Sequence, residues 1–328
     1  MTHPANTYSL VADIGGTNTR VALARGRELV PGTVRRYLNA GFAGLDSVLR
    51  QYVADEGDVD TIAACVAVAG PVRDGRATMT NLDWTIDKET LARAARAETV
   101  AILNDLQAQG HALGFLEPAN LRGVIPQPPT HEHAAKLVIG VGTGFNAAPV
   151  FETGAGRLVA PSESGHINLP VEDEADMRLF RYLSTAHGFP AVEDVLSGRG
   201  LERVYAWLGT EADDPAERRA AEIMAACADG TDPRARDAAR VFVRMLGTVA
   251  GNLALVQLPF GGIFLVGGVA RAIAPYLQEF GFESAFRNKG RFASFMTNFG
   301  VSVVEDDYAA LTGSAAHLDA LLSGHSPS

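Results

Sequence analysis

Short apolar runs of strand length alternate with helical periodicity along most of the chain, a pattern typical of an α/β fold. Residues 8–14 predict a first strand, which turns through Gly15-Gly16-Thr17 and returns as a second strand over residues 20–24. Apolar side chains fall on one 3.6-residue face of residues 45–54, which predicts a helix. The nearly continuous apolar run over residues 61–68 indicates a strand buried on both faces.

A second strand–glycine–strand pattern follows in the second half of the chain. Residues 136–141 predict a strand, followed by Gly142-Thr143-Gly144 and a returning strand over residues 147–151. This echo of the opening predicts a duplicated strand–turn–strand unit, with coincidence as the alternative. The other elements are predicted as strands over 33–38, 99–103, 263–266 and 301–304, and as helices over 88–97, 106–113, 173–186, 201–208, 215–228, 233–258 and 308–322.

Length, charge and cysteine content limit the class of protein. A chain of 328 residues suggests two domains. The net charge of −10 argues against a partner such as nucleic acid or a membrane surface, which requires a basic face. Cys65 and Cys227 are far apart, which disfavours a disulfide scaffold or a thiolate zinc site. The first seven residues show no secretory signal and residues 258–270 are too short to span a membrane, so we expect a cytoplasmic protein without a membrane partner.

The first glycine turn has the composition of a phosphate-binding loop. Glycines let backbone N–H groups approach an anion closely, and Thr17 and Thr19 add hydroxyl donors. Asp13, at the end of the first strand, is placed to hold a hydrated Mg²⁺ near phosphates. The alternative is a tight hairpin turn that binds nothing.

The two later glycine turns are less distinctive. Gly142-Thr143-Gly144 resembles half of a dinucleotide fingerprint, but a strand and not a helix follows it, so a Rossmann site is not indicated. The sequence contains no P-loop motif. Gly267-Gly268 follows a strand and opens a helix, which is also what a plain β–α connection looks like.

Polar residues that suit ligand binding follow several of the apolar runs. Asn104-Asp105 comes directly after a predicted strand, where open α/β sheets bind ligands, although Asp105 could instead cap the next helix. Glu163 and His166 share a loop of small residues, and Glu193 precedes another small-residue segment. A lone histidine is more often a surface residue than a ligand. His131 and His133 are interpreted as part of a solvated loop.

In order along the chain, these motifs resemble those of the bacterial glucokinases of the proteobacterial type, a branch of the hexokinase–actin–Hsp70 ATPase superfamily. The resemblance runs from about residue 10 to residue 318. Its motifs are Asp13-x-Gly-Gly-Thr-x-x-Arg20, Gly70-Pro71-Val72, Met79-Thr80-Asn81-x-x-Trp84, Leu103-Asn104-Asp105, Gly142-Thr143-Gly144, Glu163-x-Gly165-His166, Glu193-x-x-x-Ser197-Gly198-x-Gly200-Leu201 and Gly267-Gly268-Val269.

The resemblance implies a two-lobed RNase H-like, actin-like ATPase fold with central mixed sheets and the active site in the cleft between the lobes. The small lobe would comprise residues 1–110, completed by the C-terminal helix at 306–328, and the large lobe residues 111–305. Asp105 would be the catalytic base. The sugar ligands would be Asn104, Asp105, Glu163, His166 and Glu193. The ATP ligands would be Asp13, Gly15, Gly16, Thr17, Asn18, Thr19, Gly142, Thr143 and Gly144 for the phosphates and Gly267 and Gly268 for the adenosine.

The same resemblance implies a glycolytic transferase that phosphorylates the 6-hydroxyl of glucose with ATP and Mg²⁺ and forms a homodimer. The alternatives are a kinase for another hexose, a non-catalytic sugar-sensing regulator on the same scaffold, and an ATPase that needs no sugar. Two positions depart from the family pattern: Asn146, in the segment after Gly144 where a further glycine is usual, and Ser164, where glycine is usual. The cysteine-rich zinc motif of the related ROK family is absent from the sequence.

Overall fold

The computed structural model describes residues 7–79, 82–154 and 156–324, so the Thr80-Asn81 part of the third motif lies outside the described residues. The chain divides into two compact units. Of the described residues, the first contains 7–79, 82–118, 152–154, 156–161 and 306–324, and the second contains 119–151 and 162–305.

The described elements follow one another in chain order. The strands are β1 (Tyr8–Ile14), β2 (Asn18–Arg25), β3 (Glu28–Leu29), β4 (Arg35–Leu38), β5 (Thr61–Val68), β6 (Val72–Arg73), β7 (Arg76–Thr78), β8 (Thr85–Asp87), β9 (Thr99–Asn104), β10 (Leu121–Ile125), β11 (Lys136–Val141), β12 (Phe145–Thr153), β13 (Gly156–Val159), β14 (Ile263–Val266) and β15 (Val301–Val304). The helices are α1 (Leu45–Asp55), α2 (Lys88–Ala95), α3 (Asp105–Ala112), α4 (Glu174–His187), α5 (Gly198–Glu211), α6 (Ala220–Asp229), α7 (Pro233–Gln257), α8 (Gly268–Ile273), α9 (Phe282–Arg287) and α10 (Ala309–Leu322).

The first unit is a mixed sheet with helices on both faces. Its strand order is β3-β2-β1-β5-β9, with β4 also paired to β2. One face packs against α1 and α2 through large apolar side chains such as Leu10, Leu49 and Tyr52. The other face packs against α3 and α10 mostly through alanines. These small side chains bring the two helices close to the sheet. The strands β6, β7 and β8 form a separate three-stranded sheet.

The second unit surrounds another mixed sheet in which β10, β15, β14, β11 and β12 are neighbours in that order. The long helix α7 packs against α5, α6 and α9. Within the described residues, α7 is the one helix long and apolar enough to cross a membrane, but 67% of its most apolar window is buried inside the protein. The helix α7 is therefore the core helix of this unit.

The two sheets repeat one topology. In the first, β1 pairs antiparallel with β2 and parallel with β5, and β5 pairs parallel with β9. In the second, β11 pairs antiparallel with β12 and parallel with β14, and β14 pairs parallel with β15. The structure thus contains the duplicated strand–turn–strand unit that the sequence echo predicts.

The unit boundary differs from the predicted limit at residue 110, which falls inside α3. The segment Glu152–Pro161 also groups with the first unit, whereas the resemblance implied that it belongs to the large lobe. The reason is local. The Arg157 side chain pairs with Glu152 and donates to the carbonyl oxygens of His111, at 2.8 Å, and of Leu113 at the end of α3. These bonds attach the segment to the helix end.

Candidate active site

In the first unit, the turn after β1 and the start of α3 lie at the same edge of the sheet. Ile14, Val68 and Asn104 are in register across the parallel strands β1, β5 and β9. Two strand spacings separate the ends of β1 and β9, which is about 10 Å. The register therefore brings the predicted phosphate loop and the predicted base, Asp105, to one end of one sheet, the end at which open α/β sheets bind ligands.

The turn between β1 and β2 is closed by a backbone hydrogen bond, with the Gly15 N–H donating to the Asn18 carbonyl at 2.9 Å. Gly16 and Thr17 are exposed at its tip. Gly15 does not have a positive φ, and in the part of the chain that the structure describes, a Cβ there would meet only the Asn18 carbonyl oxygen, at 3.4 Å. The backbone of this turn therefore does not require glycine at position 15. The methyl group of an alanine there would lie against the Asn18 carbonyl oxygen.

Asn39 holds this turn in place, and sequence reasoning missed it. Its carboxamide donates to the Gly15 carbonyl and its backbone N–H donates to the Thr17 carbonyl, at 2.8 and 2.9 Å. Its Oδ1 accepts from the Thr19 hydroxyl at 2.8 Å. Asn39 is buried in a short 3-10 turn beyond β4. No motif or periodicity marks it, so only the three-dimensional structure reveals this contact.

The predicted ligand Thr19 has its hydroxyl bonded inside the protein, and its contact with phosphate stays a prediction. It is fully buried in β2, and its hydroxyl proton is used in the bond to Asn39. Strand alternation explains this burial, because Thr19 pairs with Ile14 inside the ladder and points into the interior. Asn18, which is half-buried, accepts from Arg36 through its side chain at 2.9 Å.

Asp13 faces Arg20 directly across the β1–β2 ladder, and the two side chains are 3.4 Å apart. Burial raises the pKa of Asp13 above its usual value, and the nearby Arg20 guanidinium offsets only part of this effect. A carboxylate that is only partly compensated by its arginine favours a second cation beside it.

The start of α3 is fixed by Asn104 and not by Asp105. Asn104 Oδ1 accepts from the Gln107 N–H at 2.7 Å, and the Gln107 side chain accepts from the Asn104 N–H at 3.1 Å, which forms a capping box. The Asn104 amide nitrogen has no hydrogen-bond acceptor in the described part of the chain and can donate to a ligand. Asp105 is the exposed first residue of the helix, and its Oδ1 accepts from the Leu106 N–H. Asn104, and not Asp105, is therefore the N-cap residue of α3.

In the second unit, two glycine turns lie at the ends of neighbouring parallel strands. Gly140 of β11 is in register with Val266 of β14, so Gly142–Gly144 and Gly267-Gly268 follow side by side. Gly267 has a φ of 105°, and a Cβ there would lie 2.5 Å from the Val141 carbonyl oxygen. This position therefore requires glycine. Among the described residues, a Cβ at Gly142 or Gly268 would have no neighbour within 4 Å, so both face open space.

The turn at Gly142–Gly144 also contacts the start of α5 and the side chain of Glu193. The Gly198 N–H donates to the Gly142 carbonyl at 2.8 Å. Glu193 Oε2 accepts from the Phe145 N–H at 2.9 Å, and a Cβ on Gly144 would lie 2.5 Å from the same oxygen. A larger residue at position 144 would therefore displace the Glu193 carboxylate.

Glu163 and His166 are close to Glu193. The His166 Nε2 is 3.9 Å from Glu163 Oε2, and both side chains are about two-thirds exposed, at 67% and 68%. Between them, Gly165 is buried, and a Cβ there would lie 3.5 Å from Glu193 Cβ and 2.1 Å from the Phe145 carbonyl oxygen. Two carboxylates and an imidazole thus converge beside a glycine turn, where they can accept from and donate to the hydroxyls of one ligand.

The two departures from the family pattern contact each other. Asn146 Oδ1 accepts from the Ser164 N–H at 2.9 Å. Sequence reasoning identified both residues but not their contact, which joins β12 to the segment that carries Glu163.

Comparisons with known proteins match the chain to glucokinases. The family model for glucokinase matches residues 10–321. A glucokinase of Neisseria meningitidis serogroup C is 34% identical over 314 residues, covering 94% of each chain. The crystal structure of a glucokinase from an Antarctic psychrotroph has a TM-score of 0.84 and 30% identity, covering 95% of this chain and 98% of that one. A ROK family glucokinase from Streptomyces griseus, solved with glucose and AMPPNP, shares the fold, with a TM-score of 0.63, 19% identity and coverage of 95% and 98%.

Two α/β units that repeat one strand order, each with a glycine turn after its first strand, define the two-lobed actin-like ATPase fold, and the fold class predicted from the sequence is confirmed. The chain belongs to the glucokinase family. The resemblance to the proteobacterial-type glucokinases is therefore also confirmed.

Proposed function

We propose that the protein transfers the γ-phosphoryl group of ATP to the 6-hydroxyl of glucose. Family membership supports this activity, and the convergence of Glu163, His166 and Glu193 beside a glycine turn carries the proposal. A nucleotide-driven ATPase without a sugar substrate would have no use for that cluster.

We assign the chemical step to Asp105. Aspartate side chains are ordinarily ionised at neutral pH, so this carboxylate can accept the hydroxyl proton as the oxygen attacks phosphorus. Asn104 donates its free amide hydrogens to the sugar, while Glu163 and Glu193 accept from sugar hydroxyls and His166 orients them. Phosphoryl transfer asks little covalent chemistry of the protein beyond this alignment and charge stabilisation.

The phosphates are proposed to contact the two turns that follow β1 and β11. The exposed Gly16 and Thr17 offer backbone N–H groups in the first unit. The open space over Gly142 admits an anion next to the exposed Thr143 in the second. Gly268 faces open space in the same way and suits the adenosine. Backbone donors of this kind stabilise developing charge without having to reorganise.

Asp13 is the proposed Mg²⁺-associated residue. Burial raises the pKa of its carboxyl group, so a nearby cation would stabilise the ionised form. Magnesium commonly keeps several waters and takes few protein carboxylates beside substrate phosphates, and a single aspartate therefore fits. When bound, the ion would neutralise phosphate charge.

A coupled assay tests the proposed function. Glucose, mannose, fructose and N-acetylglucosamine are each offered with ATP, ADP and polyphosphate as phosphoryl donors. We expect glucose with ATP to give the highest kcat/KM. Nucleotide turnover that does not require any sugar would contradict the proposal, and sugar binding without turnover would favour the regulator.

The homodimer and the cytoplasmic location that the resemblance implies stay predictions. Sedimentation equilibrium of the purified protein tests the first, with a mass near twice 34.6 kDa expected. Cell fractionation tests the second.

A further inference from the structure

Three polar side chains surround the backbone of Glu163: Asn146 from β12, and Ser162 and Ser164 from either side of Glu163 itself. The Asn146 amide nitrogen donates to the Ser162 carbonyl at 2.5 Å, and its Oδ1 accepts from the Ser164 N–H at 2.9 Å. One carboxamide thus binds the residue before Glu163 and the residue after it.

Hydroxyl groups complete this network. The Ser162 Oγ lies 2.6 Å from the Ala147 carbonyl, 3.1 Å from Asn146 Oδ1 and 2.7 Å from the Ser164 Oγ. Asn146 Oδ1 also accepts from the Ala147 N–H at 2.8 Å. The oxygen of Asn146 is therefore fully used inside the protein, and it is not a substrate ligand.

Among the described residues, few other contacts fix the direction of the Glu163 side chain. This side chain is 68% exposed, and its Oε2 lies 3.9 Å from the His166 Nε2. A side chain of this kind has many rotamers and pays entropy when it binds a ligand. Fixing the backbone on both sides reduces that cost, because it limits where the carboxylate can go.

We propose that Asn146 is a positioning residue that fixes Glu163 for hexose binding, acting through Ser162 and Ser164. This inference rests on the proposed function, since it requires that Glu163 binds the sugar. Removal of the carboxamide would free the Glu163 segment and weaken sugar binding, while leaving the chemical step and the nucleotide contacts in place.

The experiment compares kinetic constants for Asn146→Ala, Asn146→Asp and Ser162→Ala. We expect Asn146→Ala to raise the KM for glucose by about tenfold, while kcat and the KM for ATP stay within about twofold of the wild type. Asn146→Asp keeps the acceptor oxygen and should recover part of the loss, with a KM raised by about threefold. Ser162→Ala removes only the hydroxyl bonds and should also raise the KM by about threefold. These factors correspond to the loss of one or two neutral hydrogen bonds.

Two further variants provide the controls. Asn298→Ala removes another second-unit carboxamide, one that donates to the Phe295 carbonyl at 2.8 Å, and should leave all constants unchanged. Glu163→Gln tests the assumption beneath the inference. If it raises the glucose KM but Asn146→Ala and Ser162→Ala do not, the inference is wrong and the proposed function stands. If the wild type shows no glucose-dependent turnover, both fail.

A general loss of folding is separated from a positioning role by the ratio of the two KM values. A merely structural role predicts that Asn146→Ala lowers kcat and raises both KM values together, with no recovery in Asn146→Asp. That outcome would overturn the inference. If Asn146→Ala does not fold, the same ratio is read from Ser162→Ala.

Discussion

The two glycine turns occupy equivalent places in the repeated sheets, but they are held in different ways. The turn after β1 is fixed by Asn39, whose contacts lie within the turn and β2. The turn after β11 is fixed by Glu193 and by the start of α5. Asn39 is a neutral residue with no proposed contact to substrate, whereas Glu193 is itself a proposed sugar ligand.

This difference bears on how the substrates depend on each other. In the first unit, a change in the phosphate turn should not move a proposed sugar ligand, because Asn39, which holds the turn, is not one. In the second unit, a shift of the turn would also move Glu193, which accepts from the Phe145 N–H. The strand after this turn, β12, also contains Asn146, which accepts from the Ser164 N–H beside Glu163. We therefore expect changes in the first turn to affect ATP selectively, and changes in the second to affect glucose as well.

Alanine at Gly144 should have the largest effect among changes in these turns. Its Cβ would lie 2.5 Å from Glu193 Oε2, so the carboxylate must move and lose its bond to the Phe145 N–H. We expect a rise of about 10- to 100-fold in the glucose KM, because a hydrogen bond to a charged group contributes about 1.5–3 kcal/mol. Steady-state kinetics with glucose as the varied substrate measures this effect.

Gly15→Ala is the matched change in the first turn. A Cβ there meets only the Asn18 carbonyl oxygen, at an ordinary contact distance of 3.4 Å. We expect the glucose KM to stay within about twofold of the wild type, with any loss confined to ATP. A comparable rise in the glucose KM for both variants would remove the distinction between the two turns.

Asn39→Ala should have an intermediate effect. The substitution leaves the buried Thr19 hydroxyl and the Gly15 carbonyl without their partner, which should lower the free energy of unfolding by about 2 kcal/mol. Denaturant titration measures this loss. We also expect the ATP KM to rise several-fold, with the glucose KM unchanged. A larger change for glucose than for ATP would show that Asn39 does not act through the phosphate turn.

Asp13→Asn should have the smallest effect on the free energy of unfolding, and the size of this effect depends on pH. Because burial raises the pKa of Asp13 in the folded state, the folded protein holds a proton that the unfolded chain has released. Stability from this group is present below the unfolded pKa of about 3.8 and is lost as pH rises through the folded pKa. The asparagine variant removes this loss, so relative to the wild type it should gain stability between pH 4 and pH 7.

Urea titrations of both proteins at pH 4 and pH 7 test this sign. A variant that instead loses stability relative to the wild type over this interval would show that the Arg20 pairing, and not burial, dominates at Asp13.

Most of the regular elements follow from local pattern. The strand bounds of β1, β5, β11, β14 and β15 agree with the predictions, because these strands are continuous apolar runs buried in the sheets. Short edge strands such as β6 and β10 were missed, since half-exposed segments carry little periodicity. The C-terminal helix α10 was placed in the small lobe by resemblance, and Gly313 explains its packing: a Cβ there would lie 1.7 Å from the Ala108 carbonyl oxygen of α3.

The candidate site was only partly predictable. Residues with distinctive chemistry, such as Glu163, His166 and Glu193, could be identified from their motifs, and the structure brings them together. The supporting residues could not be identified in this way. Asn39, which holds the first turn, and Asn146, which holds the segment that carries Glu163, act through contacts between positions 16 to 24 residues apart. Thr19 shows the opposite case, in which a motif residue has its hydroxyl turned into the protein.

The measurement that tests the central claim most directly is the comparison of Asp105→Ala with the wild type in turnover and in glucose binding. Loss of a general base should lower kcat by about 10²–10⁴-fold, while calorimetry gives a glucose Kd within about threefold of the wild type. An unchanged kcat would place the base elsewhere. A loss of glucose affinity as large as the loss of rate would make Asp105 a binding residue and contradict the account.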